Sequence, residues 1–180
     1  MGRIVSNFFI SLDGVVEAPD QWHFPYFNDE MGNAVGEGVA NAEALLMGRV
    51  LYDEWADYWP DSNDEPFASF INNTPKYVVS RTLHQATWNN TTVVGSDVAT
   101  RIRELKETTE GDIAISGSAT LVRWLLANGL LDRLNLLLHP IVVGKGQRLF
   151  EDTPTHPLRL VSEEAFSTGV LNLSYAPADD

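Results

Sequence analysis

The chain has 180 residues and no cysteine, which suits one domain over residues 1–180 and excludes disulfides, thiol nucleophiles and thiolate metal sites. A formal charge of −13 with only 12 lysines and arginines disfavours a nucleic-acid partner, since a polyanion needs a basic face. No apolar run is long enough to cross a membrane, and no signal sequence begins the chain. We therefore expect a cytoplasmic globular protein without a membrane partner.

The first half of the chain alternates short apolar runs with stretches of helical period, a pattern typical of α/β domains. Strands are predicted at Arg3–Ile10, Ala44–Met47, Lys76–Ser80 and Thr92–Val94. Helices are predicted at Asp29–Asn41, Val50–Tyr58 and Glu65–Asn72.

The loop before the first of these helices, "EAPDQWHFPYFND", carries two prolines and four aromatic residues. So much aromatic surface is unfavourable in water, so the loop is more than a connector. Trp22 and Phe24 are candidates to stack on a flat substrate. The alternatives are that these rings fill a gap between loop and sheet or cover a dimer surface. His23 is a candidate proton donor near neutral pH, although a lone loop histidine is more often solvated.

The second half continues the same alternation and closes with a hairpin. Its strands are predicted at Asp112–Ser116, Arg133–His139, Leu158–Ser162 and Val170–Tyr175, which makes eight strands for one sheet. Its helices are predicted at Asp97–Glu107 and Ala119–Asn128. The last helix is the clearest, because Ser118 can cap its start and Gly129 can end it.

Three predicted strand ends carry residues suited to phosphate. "LLMGRVLYDEW" places Gly48 and Arg49 at a helix start. "YVVSRTL" places Ser80, Arg81 and Thr82 after a strand, and "IAISGSATLVRWLL" gives a Gly-Ser turn before a helix. Each alone is explained by a capped helix or a surface arginine. Because ligands bind at the carboxyl ends of such strands, the three together favour one extended anionic ligand, shaped like a dinucleotide.

These segments, with "NFFISLDGVV" at the start and "ISGSATLVRWLLANGLLDRLNLLLHPIVVGKGQRLF" near the end, resemble the dihydrofolate reductase superfamily. The resemblance is greatest to the branch that contains the C-terminal reductase domain of bacterial riboflavin biosynthesis (RibD) and its stand-alone relatives. It implies a three-layer α/β fold: a mixed, mostly parallel eight-stranded sheet flanked by helices, ending in an antiparallel hairpin. It also implies an NADPH site along the strand ends, and a homodimer.

The resemblance assigns the cofactor residues by segment. Gly48 and Arg49 would lie at the phosphates, and Ser80, Arg81 and Thr82 at the adenosine end, where Arg81 would favour a 2′-phosphate. The pyrophosphate turn would comprise Ser116, Gly117, Ser118, Ala119, Thr120 and Leu121. The chain departs from relatives at Leu51, where they often carry threonine, and Gly117-Ser118 replaces the glycine pair of folate reductases.

The resemblance also suggests catalytic roles for Asp13 and Asp29 and substrate binding by Glu30. Asp13 would stand after the first strand, near the nicotinamide, and Asp29 and Glu30 begin the next helix, about where folate reductases bind the pterin ring. The structural alternatives are a turn aspartate for Asp13 and a helix N-cap for Asp29. No metal is expected.

The predicted activity is NADPH-dependent reduction of a small planar heterocycle, or of a related carbonyl or imine compound, as in the 5-amino-6-(5-phosphoribosylamino)uracil reductases. The alternative is a non-catalytic protein on the same fold that binds a nucleotide or another small ligand. "HPIVVGKGQRLF" lacks the spacing and ending of an ATP phosphate loop, so Gly144 and Gly146 are interpreted as turn glycines. Lys145 and Arg148 are expected to be exposed or near the substrate mouth.

Overall fold

A computed structural model describes residues 1–178. Its eight strands form one sheet in the order β4-β3-β2-β5-β1-β6-β8-β7, which confirms the predicted strand count. The strands are β1 Arg3–Ser11, β2 Ala42–Gly48, β3 Lys76–Val79, β4 Thr91–Val94, β5 Asp112–Ile115, β6 Arg133–His139, β7 Leu158–Ala165 and β8 Leu171–Pro177. The helices are α1 Asp29–Asn41, α2 Arg49–Tyr58, α3 Phe67–Asn73, α4 Val98–Thr108 and α5 Ala119–Ala127.

Strands β1 to β6 run parallel to one another, and β8 pairs antiparallel with both β6 and β7. The expected mixed, mostly parallel sheet with a terminal hairpin is therefore confirmed. Since the parallel strands share a direction, the residues that follow β2, β3, β4 and β5 meet at one edge of the sheet. That edge is where the three phosphate-type segments were predicted to converge.

The helices cover both faces of the sheet, and alternate strand residues point to each face. Leu46 of β2 packs in a cluster with α4 and α5, whereas Leu45 and Met47 pack with α2 and α3. Helix α1 lies on the same face as α2, where its Met31 joins a smaller cluster with Phe9. The three layers are thus two helix layers with the sheet between them.

Helix α5 illustrates why the sequence folds this way. The Ser118 side chain accepts a hydrogen bond from the Leu121 N–H at 3.2 Å, and Gly129 adopts a φ of +65° just beyond the end. Its apolar stripe is buried against the sheet and comprises Leu121, Val122, Leu125 and Leu126. Burial of such a stripe contributes roughly 1.5–3 kcal/mol per side chain, more than helix propensity supplies.

The clearest departure from prediction is the terminal hairpin. Strand β7 runs on to Ala165 instead of ending at Ser162, and its register shifts between Leu160 and Ser162. The extra residue of this bulge, Val161, lets Glu163 and Glu164 continue the strand although they were assigned to the turn. Helix α3 also begins at Phe67 rather than Glu65. No helix within residues 1–178 is long and apolar enough to span a membrane.

Candidate functional site

A cleft of about 440 Å³ lies at the carboxyl edge of strands β2 to β5, and we call it the strand-end cleft. Its walls come from the ends of four segments that are distant in sequence. The lining residues are Gly48, Arg49, Val79, Arg81, Val94, Gly95, Ser96, Asp97, Val98, Ala99, Ser118, Thr120, Leu121 and Trp124. The three segments that were predicted to share one ligand therefore do line one cleft.

Three helices begin at this cleft. Helix α2 starts at Arg49, α4 at Val98 and α5 at Ala119, and residues of the first turn of each lie in the wall. The first N–H groups of a helix have no partner within the helix and carry its positive dipole end. Three such ends around one cleft make it suited to an extended ligand with several negative groups.

Gly48 and Ser118 bring two of these segments into direct contact. The Gly48 N–H donates to the Gly117 carbonyl at 3.2 Å, and a Cβ at Gly48 would lie 2.8 Å from the Ser118 Oγ. Leu51, which stands where relatives often carry a hydroxyl, packs over Gly117, so that a Cβ there would lie 3.3 Å from its Cδ2. The glycines are thus required by the close approach of β2 to the turn before α5.

Arg49 is held at the cleft by two partners. Its Nε donates to both carboxylate oxygens of Asp53 at 2.9 and 2.8 Å, and its Nη1 donates to the Thr82 Oγ1 at 3.3 Å. Ser80 accepts hydrogen bonds from the N–H groups of Thr82 and Leu83 and so shapes the turn after β3. Arg49 and Arg81 therefore line the cleft, whereas Ser80 and Thr82 lie outside its lining and hold the turn and Arg49 in place.

The remaining predicted cofactor residues divide in the same way. Ser118, Thr120 and Leu121 line the cleft, while Gly117 and Ala119 are buried beneath it and Ser116 is exposed outside its lining. Their roles toward a cofactor stay predictions.

The sequence reading missed the wall that follows β4. The segment "GSD" at residues 95–97 opens α4 as "SGS" at residues 116–118 opens α5, and this strand-turn-helix pattern was the available signal. Trp124, one turn inside α5, was missed because nothing in the sequence distinguishes it from a core residue.

Asp13 is engaged by the segment that follows β6. Its carboxylate accepts hydrogen bonds from the Ser11 hydroxyl at 2.6 Å, the Val143 N–H at 3.0 Å and the Gly144 N–H at 2.8 Å. These bonds, that from Ser11 foremost, lower the pKa of Asp13 from 3.8 to about 2. Asp13 therefore stays ionised near neutral pH, which favours a positioning role over proton delivery; its predicted catalytic role is otherwise untested.

Further bonds join the two segments into a unit that we call the clasp, residues 12–17 with residues 141–149. Glu17 accepts from the Gln147 N–H, and the Arg148 Nε donates to the Asp13 carbonyl at 3.0 Å. Lys145 is exposed, and with Glu17 it borders a shallow cleft of about 280 Å³. The N–H groups of the glycine turn are thus used by the chain's own carboxylates, in agreement with the turn interpretation.

The aromatic loop, residues 17–28, encloses a buried imidazole. His139 at the end of β6 is 0% exposed, and its Nδ1 lies 2.7 Å from the Leu137 carbonyl while its Nε2 has no hydrogen-bond partner. Its ring lies edge-on to Trp22 and Tyr26, with centroids 5.2 and 5.6 Å away. His23, with its Nδ1 also buried and unpartnered, lies 6.1 Å from the same ring.

Burial lowers the pKa of both imidazoles, and repulsion between them adds to the effect on His23. The alternative that His23 is a solvated loop histidine is therefore wrong, because this residue is only 7% exposed. Trp22 is equally buried, so this ring mainly fills the space between loop and sheet, whereas Phe24 is 63% exposed. Stacking of either ring on a substrate stays a prediction.

The carboxylates at the start of α1 differ in their contacts. Glu30 accepts from the backbone N–H and the hydroxyl of Ser167 in the hairpin turn, which lowers its pKa. The helix N-cap is Asn28, whose side chain accepts from the Met31 N–H, so the N-cap alternative for Asp29 is wrong. Asp29 is exposed and has no hydrogen bond from its side chain within the described chain. Residues 1–178 contain no cluster of three or more metal-ligating side chains.

The arrangement of the sheet and its flanking helices is that of dihydrofolate-reductase-like proteins. A putative riboflavin biosynthesis protein from Shewanella sp. PV-4 superposes with a TM-score of 0.78 at 20% identity, over 99% of this chain and 100% of that one. Dihydrofolate reductase from Enterococcus faecalis superposes with a TM-score of 0.67 at 14% identity, over 99% and 98% of the two chains. These identities show a shared fold.

Sequence comparison defines the family more closely. Residues 3–172 match the RibD C-terminal domain, and the chain belongs to that family. The uncharacterized protein YyaP of Bacillus subtilis (strain 168) is 27% identical over 179 residues, which cover 96% of this chain and 94% of YyaP. The family predicted from the motifs is therefore confirmed.

Proposed function

We propose that the protein is an NADPH-dependent reductase that transfers a hydride to a small planar heterocycle or to a related carbonyl or imine compound. The observation that carries the proposal is the strand-end cleft, where three helix N-termini and the side chains of Arg49 and Arg81 line one space of about 440 Å³. Membership of the RibD C-terminal domain family supports a reductase. The Enterococcus faecalis dihydrofolate reductase of the same fold was solved with NADP(H).

The residues of the cleft fit a dinucleotide phosphate. Phosphate oxygens can accept hydrogen bonds from the first N–H groups of α2 and α5, and the close approach of Gly48 to Ser118 brings these two helix starts together in one wall of the cleft. Arg49 is oriented by Asp53 and Thr82, so it offers its outer N–H groups without losing side-chain freedom on binding. Arg81 has no ion-pair partner within residues 1–178 and suits a 2′-phosphate.

When bound, NADPH supplies the hydride, and the protein has to align donor and acceptor and exclude water. The clasp fixes the start of the aromatic loop, and the packing of Trp22 on His139 holds the loop against the sheet. Of the three predicted carboxylates, Asp13 and Glu30 are engaged by backbone N–H groups. Asp29 is the one left to contact a substrate, so we assign it that role.

The test is a titration with NADPH and NADH, followed by nicotinamide fluorescence. We expect NADPH to bind and Arg81→Ala to reduce its affinity more than that of NADH. Asp29→Asn should lower turnover of any accepted heterocycle while NADPH affinity stays unchanged. No binding of either dinucleotide at high micromolar concentration would overturn the enzyme proposal. Binding without turnover across planar heterocycles, carbonyl and imine compounds would favour the non-catalytic alternative.

We also propose the homodimer that the family resemblance implies. Sedimentation equilibrium should then give twice the 20.0 kDa of one chain. A mass of one chain at high micromolar concentration would contradict this part of the proposal.

A further inference from the structure

Two opposite charges stand at neighbouring strand ends inside the strand-end cleft. Strands β3 and β4 pair in parallel with Val79 beside Val94, and the Ser80 N–H donates to the Val94 carbonyl at 3.1 Å. Arg81 and Asp97 follow these strands by two and three residues and both line the cleft. No ion pair joins their side chains in the part of the chain that the structure describes.

Asp97 does not perform the usual task of an aspartate at its position. It occupies the N-cap of α4, where such a carboxylate ordinarily accepts a hydrogen bond from the helix. Its backbone is left-handed, with φ 48° and ψ 40°, and its side chain makes no capping hydrogen bond. An exposed carboxylate with no partner therefore stands in the wall of a cleft that is otherwise suited to anions.

The charges of the cleft lining make this carboxylate important. Both carboxylate oxygens of Asp53 accept hydrogen bonds from the Arg49 Nε, so the negative charge of Asp53 offsets the positive charge of Arg49. The net positive charge available to a phosphate at the β3–β4 end then rests on Arg81, and Asp97 opposes it. A carboxylate accepts hydrogen bonds from the two ribose hydroxyls of NADH, whereas it repels a phosphate esterified at the 2′ position.

We infer that Asp97 is a specificity-determining residue, which favours a free ribose 2′-hydroxyl and limits the preference for NADPH that Arg81 gives. The inference rests on the proposed function, since it concerns the dinucleotide bound in the same cleft. The unmodified protein then discriminates between NADPH and NADH less than Arg81 alone would allow.

The expected size follows from Coulomb's law. For a carboxylate and a nearly dianionic phosphate assumed to lie about 7 Å apart in water, removal of the carboxylate charge changes affinity by about five- to tenfold. Asp97→Asn should therefore raise the ratio of NADPH affinity to NADH affinity by about that factor. The gain should come from tighter NADPH binding, with NADH unchanged or weaker.

The experiment measures dissociation constants of NADPH and NADH by calorimetry for the unmodified protein, Asp97→Asn and Glu107→Gln. Glu107 is exposed on the same helix outside the cleft lining, so its variant carries the same change in net charge. The inference is supported if Asp97→Asn alone raises the ratio. It is overturned if both variants raise it equally, or if Asp97→Asn leaves the ratio unchanged while both dinucleotides bind. Thermal unfolding of each variant identifies loss of folding.

The two proposals fail in different ways. If neither dinucleotide binds the unmodified protein, the proposed function is wrong and the role of Asp97 falls with it. If both bind and the ratio does not respond, only the role of Asp97 is wrong.

Discussion

A methyl group at Gly48 should disturb the protein through its contact with one residue, Ser118. Because Gly48 has an ordinary φ of −82°, alanine is not strained there, and Gly→Ala changes at compatible sites usually stabilise by about 0.4–1 kcal/mol. Here the new Cβ would lie 2.8 Å from the Ser118 Oγ, so that hydroxyl has to move. It then loses the Leu121 N–H, which costs about 1 kcal/mol, and local overpacking adds about 1–3 kcal/mol. We expect Gly48→Ala to lower the free energy of unfolding by about 2–3 kcal/mol.

A double-mutant cycle tests this explanation by urea unfolding followed by circular dichroism. Ser118→Gly alone should cost only a few tenths of a kcal/mol, and combined with Gly48→Ala it should recover at least about 1 kcal/mol of the loss. Gly36→Ala in α1, where a Cβ meets nothing within 4 Å, is the control and should stabilise by roughly 0.5–1 kcal/mol. Additive effects in the cycle would refute the argument. Measurement of NADPH affinity for the same variants shows whether the contact between Gly48 and Ser118 shapes the strand-end cleft.

Three further outcomes follow from the titratable side chains Lys76, His139 and Asp13. Lys76 is 0% exposed and donates to the carbonyls of Ile71, Asn72 and Thr74. Lys76→Met should therefore lower the free energy of unfolding in urea by about 2–4 kcal/mol, whereas Lys145→Met, at an exposed position, should lower it by less than about 0.5 kcal/mol. Equal losses in the two variants would contradict this reasoning. Burial holds the pKa of His139 below 6.5, so the folded protein binds fewer protons than the unfolded chain and its stability falls as pH drops through 6.5. His139→Phe should reduce this fall in urea unfolding measured between pH 7 and pH 5. The same loss of stability in the variant as in the unmodified protein would contradict the role of the buried imidazole. The pKa of Asp13 is lowered to about 2, so its carboxylate stabilises the clasp fully above pH 3.8 and loses that effect as pH falls toward 2. Asp13→Asn should therefore speed hydrogen exchange of the amides of residues 143–144 at pH 7. Unchanged exchange at these amides would show that the carboxylate does not hold the loop.

Periodicity and capping located the elements well where the local signal was complete. Helix α1 was predicted over the residues it occupies, and α5 differs by one residue. For α5, the Ser118 cap and the apolar stripe made the local signal complete. Strand β7 was cut short because two glutamates look like a turn, yet on an exposed edge strand they point into water without cost. The order of the strands was not predicted, since no local pattern specifies which strands pair.

The candidate site was predicted as three segments, and they converge because β3, β2 and β5 run parallel and are neighbours in the sheet. The wall after β4 was not found, since its Gly-Ser-Asp turn was not recognised as a counterpart of the Gly-Ser turn before α5. The contacts of Asp13 with Val143 and Gly144 could not be predicted either, because these partners are backbone N–H groups about 130 residues away, and the identity of a residue does not show where its backbone N–H will bond.

The aromatic loop is fastened at both ends by side chains that accept backbone hydrogen bonds. Glu17 takes the Gln147 N–H at one end, and Asn28 caps α1 at the other. Between these anchors the Trp22 indole donates to the Glu17 carbonyl at 3.2 Å, and the His23 ring stacks on Phe9 of β1 with centroids 4.4 Å apart. Displacement of these two rings from the sheet would open the space around the His139 imidazole to water. The packing of the aromatic loop is therefore what keeps the unpartnered Nε2 of His139 dry.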